Sequence, residues 1–103
     1  MLDDVKRILV DGPLGVHTAE EFIQACLARA AGPGDTDAVP LFVLARLAQP
    51  FCDFYADQAL SEATARAFRD RMVATIDACD AAADPAARDA ALGNAIREAL
   101  ASA

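Results

Sequence analysis

The sequence predicts an all-α fold: a compact bundle of four to five helices around a central, apolar helix kinked at Pro50. Three observations carry this. Alanine, the strongest helix former, supplies about a quarter of the 103 residues, whereas the β-branched and aromatic residues that favour strands are sparse. Apolar residues recur at steps of three and four through most of the chain. Glycine and proline gather at the gaps between these runs, where helices have to stop.

The elements follow in order. Leu2, Val5, Ile8 and Leu9 space a short first helix over residues 3–10, which Gly12-Pro13-Leu14-Gly15 ends. Thr18 and Glu21 have the spacing of a capping box and predict the start of a second helix. Its buried stripe is Phe22, Ile23, Cys26, Leu27 and Ala30, and Gly32-Pro33-Gly34 terminates it. Asp37 is positioned to cap a third helix, with Pro40 in the first turn, where a missing N–H costs little. Residues 39–52 are apolar on nearly every side, interrupted only by Arg46 and Gln49. Leu41, Leu44, Ala48, Phe51 and Tyr55 continue one stripe across Pro50, so one kinked element over residues 38–59 is expected.

Ser61 caps the fourth segment, whose stripe is Ala65, Phe68, Met72, Ile76 and Cys79. Glu62 with Arg66, and Arg66 with Asp70, have the i,i+4 spacing of surface ion pairs. Asp84-Pro85 reads as a cap followed by proline at the first helical position. Leu92, Ile96 and Leu100 define the last helix, which Gly93-Asn94 weakens without breaking. No internal repeat or linker divides the chain, so residues 1–103 are expected to form a single helical domain.

Composition also bounds function. The net charge is −7, a surface that repels nucleic-acid phosphates and anionic lipid heads. The apolar run at residues 39–52 is shorter than the roughly 20 residues of a membrane span and contains Arg46. Cys26, Cys52 and Cys79 form no C-x-x-C pair and no zinc spacing, which favours three reduced thiols facing the core. Asp3 and Asp4 stand where a secretory signal would be basic. A cytoplasmic protein is expected.

Signals for chemistry are weak. His17, the sole histidine, has no visible orienting partner; placed just before Thr18, it is expected to pack at the helix start against Phe22. Asp53 with Asp57, and Asp77 with Asp80 and Asp84, lie at helical spacing, but the Glu-x-x-His pattern of helical metal sites is missing, so a solvated acidic face is the better reading. Gly12-Pro13-Leu14-Gly15 matches the bare G-x-x-G of KH loops, yet Asp11 flanks it where phosphates would sit. Phe22 to Gly34 followed by Asp37 to Gln49 outlines a helix-turn-helix, but its second helix offers Phe42, Val43 and only Arg46 to a groove.

The expected function is therefore a non-catalytic protein–protein interaction or regulatory module with no cofactor, self-associating as a homodimer. The motive is the excess of apolar surface on the third helix. Phe42, Leu47 and Phe54 lie off its main stripe and are the candidate interface residues, unless the first, second and fifth helices cover them. An adaptor, an antitoxin-like inhibitor, a secretion chaperone or an acidic mimic of a basic-site ligand are all compatible. The alternatives are a helix-turn-helix nucleic-acid regulator and a small enzyme or cation binder using the aspartate groups or His17.

Overall fold

Five helices account for about four fifths of the computed structural model, which describes residues 1–101. They are α1 (Asp3–Asp11), α2 (Val16–Ala31), α3 (Ala38–Tyr55), α4 (Glu62–Ala81) and α5 (Pro85–Ala101). No strand occurs among the described residues. α3 packs most extensively on α2 and also touches α4 and α5, while α1 bridges α2 and α4.

The shared core is mainly aliphatic, with Phe22, Phe51 and Phe68 as its aromatic members. Leu2, Val5 and Leu9 from the first segment meet Phe22 and Cys26 of α2, Leu41 and Leu44 of α3, and Met72 and Ile76 of α4. The stripe read for α4 is buried throughout: Ala65, Phe68, Met72, Ile76 and Cys79. Aromatic stacking closes one end, with the rings of Phe51 and Phe68 centred 4.0 Å apart and inclined by 13°. Each large side chain taken fully out of water contributes about 1.5–3 kcal/mol.

Helix ends show where local rules hold and where they yield. The Ser61 hydroxyl accepts from the Thr64 N–H at 3.1 Å, and an Asp84 carboxylate oxygen accepts from the Ala87 N–H at 2.8 Å. The capping box at Thr18 does not form. α2 starts at Val16, with Gly15 at the cap position and φ of 148°, a conformation open to glycine and strained for other residues. Thr18 is thereby drawn into the first turn, is buried, and donates its hydroxyl to the Pro13 carbonyl at 2.6 Å. Gly12 is needed beside it, because a Cβ there would sit 2.8 Å from the Thr18 methyl and 2.7 Å from the Ile8 carbonyl.

Asp37 occupies the cap position of α3 but makes no capping hydrogen bond. Its carboxylate instead takes Arg88 Nη1 at 3.1 Å and Arg29 Nη2 at 3.5 Å. Arg29 also reaches Asp4 at 2.7 Å and Asp35 at 3.3 Å, and donates to the Met1 carbonyl. One guanidinium, with five donors in a rigid fork, thus joins the N-terminus, α2 and the connection before α3; Asp37 extends the network to α5.

α3 runs through Pro50 as one helix. The carbonyl that Pro50 leaves without its usual donor belongs to Arg46. Both residues are exposed, so water can serve that carbonyl. The helix stops at Tyr55 and does not reach residue 59 as expected, because the chain turns there through a Gln58 N–H to Tyr55 carbonyl bond and brings Leu60 onto the core. The second surface pair expected of Arg66 is also different: Arg66 bonds Glu62 at 3.0 Å, but Asp70 is taken by Arg69.

Two apolar stripes are less buried than their spacing predicts. Leu27 of α2 faces solvent, and α5 gives only Leu92 to the core, leaving Ile96 and Leu100 exposed. Helical spacing identifies a common face, but the neighbours decide how much of it is covered.

Replacing Leu44, fully buried, by alanine should cost about 2–5 kcal/mol of unfolding free energy, and Ser61→Ala about 1 kcal/mol, both measured by urea denaturation. A second expectation concerns acid. The Asp35 carboxyl is held below its usual value of 3.8, first by the Asp37 N–H that donates to it; partial desolvation opposes this and Arg29 adds to it. A group depressed in the folded state contributes stability above its unfolded value and loses it as pH falls through the folded one. Melting temperature should therefore drop below pH 3.8, and Asp35→Asn should make that drop shallower.

Candidate functional site

An α-helix that packs on three neighbours still has a circumference to cover, and α3 does not cover all of it. Leu41, Leu44, Ala45, Ala48, Phe51 and Cys52 are buried. On the opposite side Val39 is 64% exposed, Phe42 52% and Phe54 59%. α3 is thus central to the core without being enclosed, and the helices around it leave Phe42 and Phe54 open. The remaining sequence-derived candidate, Leu47, is half-buried and packed against the core, at the edge of this face. Val39 belongs to the face as well. It was missed because a residue in the first turn of an apolar run reads as core from spacing alone.

At the C-terminal end the face is aromatic. Phe54 sits edge-on to Tyr55 with ring centres 4.7 Å apart, and Tyr55 meets Phe51 at 5.2 Å. Phe51 in turn stacks on Phe68, so the exposed ring continues into the core through a chain of aromatic contacts. Side chains supported in this way lose less freedom when a partner covers them.

Beside the face, α2 and α3 diverge around a groove of about 270 Å³. Val16, Ile23, Cys52 and Ala56 supply apolar lining, and Glu20, Gln24, Gln49 and Asp53 supply polar groups. The Gln49 amide donates to Asp53 at 2.9 Å. The Cys52 thiol is pushed up to about 11, first by burial and then by the Glu20 and Asp53 carboxylates. Both carboxylates therefore act on the same end of the groove. Among the described residues neither has a basic side chain within ion-pair distance.

The residues that suggested chemistry are dispersed. His17 does not pack on Phe22: it is 83% exposed on its side chain, with Nε2 2.9 Å from Glu21, because the early start of α2 carries it onto the solvent side. Asp77 pairs with Lys6 at 2.7 Å and Asp84 is a cap, while Asp57 lies beyond the end of α3. No group of three or more histidine, cysteine, aspartate or glutamate side chains among the described residues is arranged to hold a metal ion. All three cysteines are free and buried. Burial pushes Cys26 up to about 12 and also raises Cys79.

The helix-turn-helix outline meets two geometric obstacles. Residues 32–37 separate α2 from α3, longer than the three or four residues of such a turn. The outward side of α3 presents Phe42 and Val39 with one guanidinium, from Arg46. No helix among the described residues is long and apolar enough to cross a membrane.

The chain matches no protein-family model, no curated protein and no solved structure. The functional reading therefore rests on this surface.

Because only the thiolate reacts, the three cysteines should resist a thiol reagent at about pH 8 in the native protein and label together once urea unfolds it. Rapid labelling of one thiol before unfolding would identify a locally open helix.

Proposed function

We propose that this protein is a non-catalytic interaction module that self-associates through the outward side of α3. The observation that carries the reading is the exposure of Phe42 and Phe54 on the helix that also forms the centre of the core. Large aromatic side chains left open to water on a small protein offer anchors for a partner, because aromatic anchors are common among the residues that dominate binding. Charge favours a protein partner over a nucleic acid: the chain carries −7, and the face itself holds one arginine and one aspartate.

Cytoplasmic residence suits three free cysteines. Within this reading, α2 and α4 hold α3 rigid, and α3 contributes recognition.

Sedimentation equilibrium across low- to high-micromolar protein should give a mass that rises toward twice that of the chain. Phe42→Ser and Phe54→Ser should each weaken association by about tenfold or more while leaving the helical circular dichroism intact, since both side chains are exposed. A strictly monomeric wild-type chain over that range would reject self-association.

A further inference from the structure

The outward side of α3 carries its own charge complement. Arg46 and Asp53 are both exposed and lie seven residues apart on the same helix. That is about 10.5 Å along the axis, with an angular offset of only about 20°. Among the described residues Arg46 has no carboxylate within ion-pair distance. Asp53 has only the Gln49 amide, and Glu20 faces the same groove without a cation.

These positions are symmetric about the Gln49-Pro50 step. An isologous pair of chains requires that if residue i meets residue j, then j meets i. Two copies of α3 laid antiparallel, with the twofold at that step, satisfy this: each Arg46 comes level with the other copy's Asp53. The same register places Phe54 level with the second copy's Ala45, three residues or about 4.5 Å along the axis from its Phe42. Phe42 and Phe54 stand about 120° apart around the axis, so they flank the charged seam on its two sides.

We infer that the occupant of this face is a second copy of the chain, docked antiparallel along α3, with its Arg46 guanidinium seated at the α2–α3 groove between Asp53 and Glu20. The inference rests on the reading of α3 as an interaction face and specifies its partner and register. The apolar groups contribute affinity, and the charges select the alignment, as polar residues within helical seams do. A guanidinium suits the place because its fork can engage two carboxylates at once. Sliding the helices by one turn would carry Arg46 about 5.4 Å along the axis away from Asp53.

The test is a charge reversal with mixing, read by sedimentation equilibrium. Arg46→Glu faces acid with acid in both halves of its own pair, and Asp53→Arg faces base with base. Each variant alone should self-associate at least about tenfold more weakly than wild type. Mixed in equal amounts they should recover near wild-type affinity as a heterodimer, because both contacts are then between opposite charges. If both variants dimerise alone like wild type, or if mixing restores nothing, the antiparallel register is overturned while self-association through α3 stands. A wild-type chain that stays monomeric overturns both. Should a reversal unfold the chain, Arg46→Gln and Asp53→Asn replace it; wild-type affinity in those two variants would equally overturn the inference.

Discussion

Close packing of α2 against α3 is the constraint on which the rest of the molecule depends. Small residues make it feasible: Ala19 and Cys26 on one helix, Ala45 and Ala48 on the other, all essentially without solvent contact. Small side chains let two backbones approach and leave Phe22, Leu41 and Leu44 to fill the space on either side. α1 and α4 then complete the enclosure, with Val5, Leu9, Met72 and Ile76 packed on the same cluster. Removing volume at the centre costs more than the transfer energy of the lost atoms, because a tightly packed interior relaxes only in part.

A polar network complements that core. Arg29 gathers Asp4, Asp35 and the Met1 carbonyl, and shares Asp37 with Arg88. Single exposed ion pairs contribute little. Several charges meeting one partly buried guanidinium hold more geometry, because each contact restricts the others. The segments joined are distant in sequence: the N-terminus, the residues 32–37 connection and the start of α5.

The composition of α3 exceeds what the core alone requires. The side of α3 facing α2 and α4 must be apolar to form a core. The outward side carries Arg46 and Asp53 but also leaves Val39, Phe42 and Phe54 open to water, where a solvated helix would be polar. Proline within this helix fits that division. It is placed where the lost hydrogen bond falls on the outward side and can be replaced by water, leaving the buried ladder intact. A rigid scaffold beneath an apolar face reduces the ordering cost of association.

Much of the architecture was legible in the residues. Five helices, their approximate ends, the α4 stripe, the caps at Ser61 and Asp84 and the buried cysteines all follow from local propensity and spacing. These are properties of neighbouring residues, and tertiary structure had no reason to override them. The start of α2 was different: Gly15 adopted a conformation that few residues tolerate, and Thr18 went to the Pro13 carbonyl when α1 and α2 packed together. Asp37 likewise left its expected capping role for two arginines, one of them 51 positions away in sequence. The status of Phe42, Leu47 and Phe54 was also a tertiary matter. Spacing could say that they lay off the main buried stripe, but their exposure depended on which other helices lay against them. Periodicity records direction around a helix axis; coverage is a property of the assembled set.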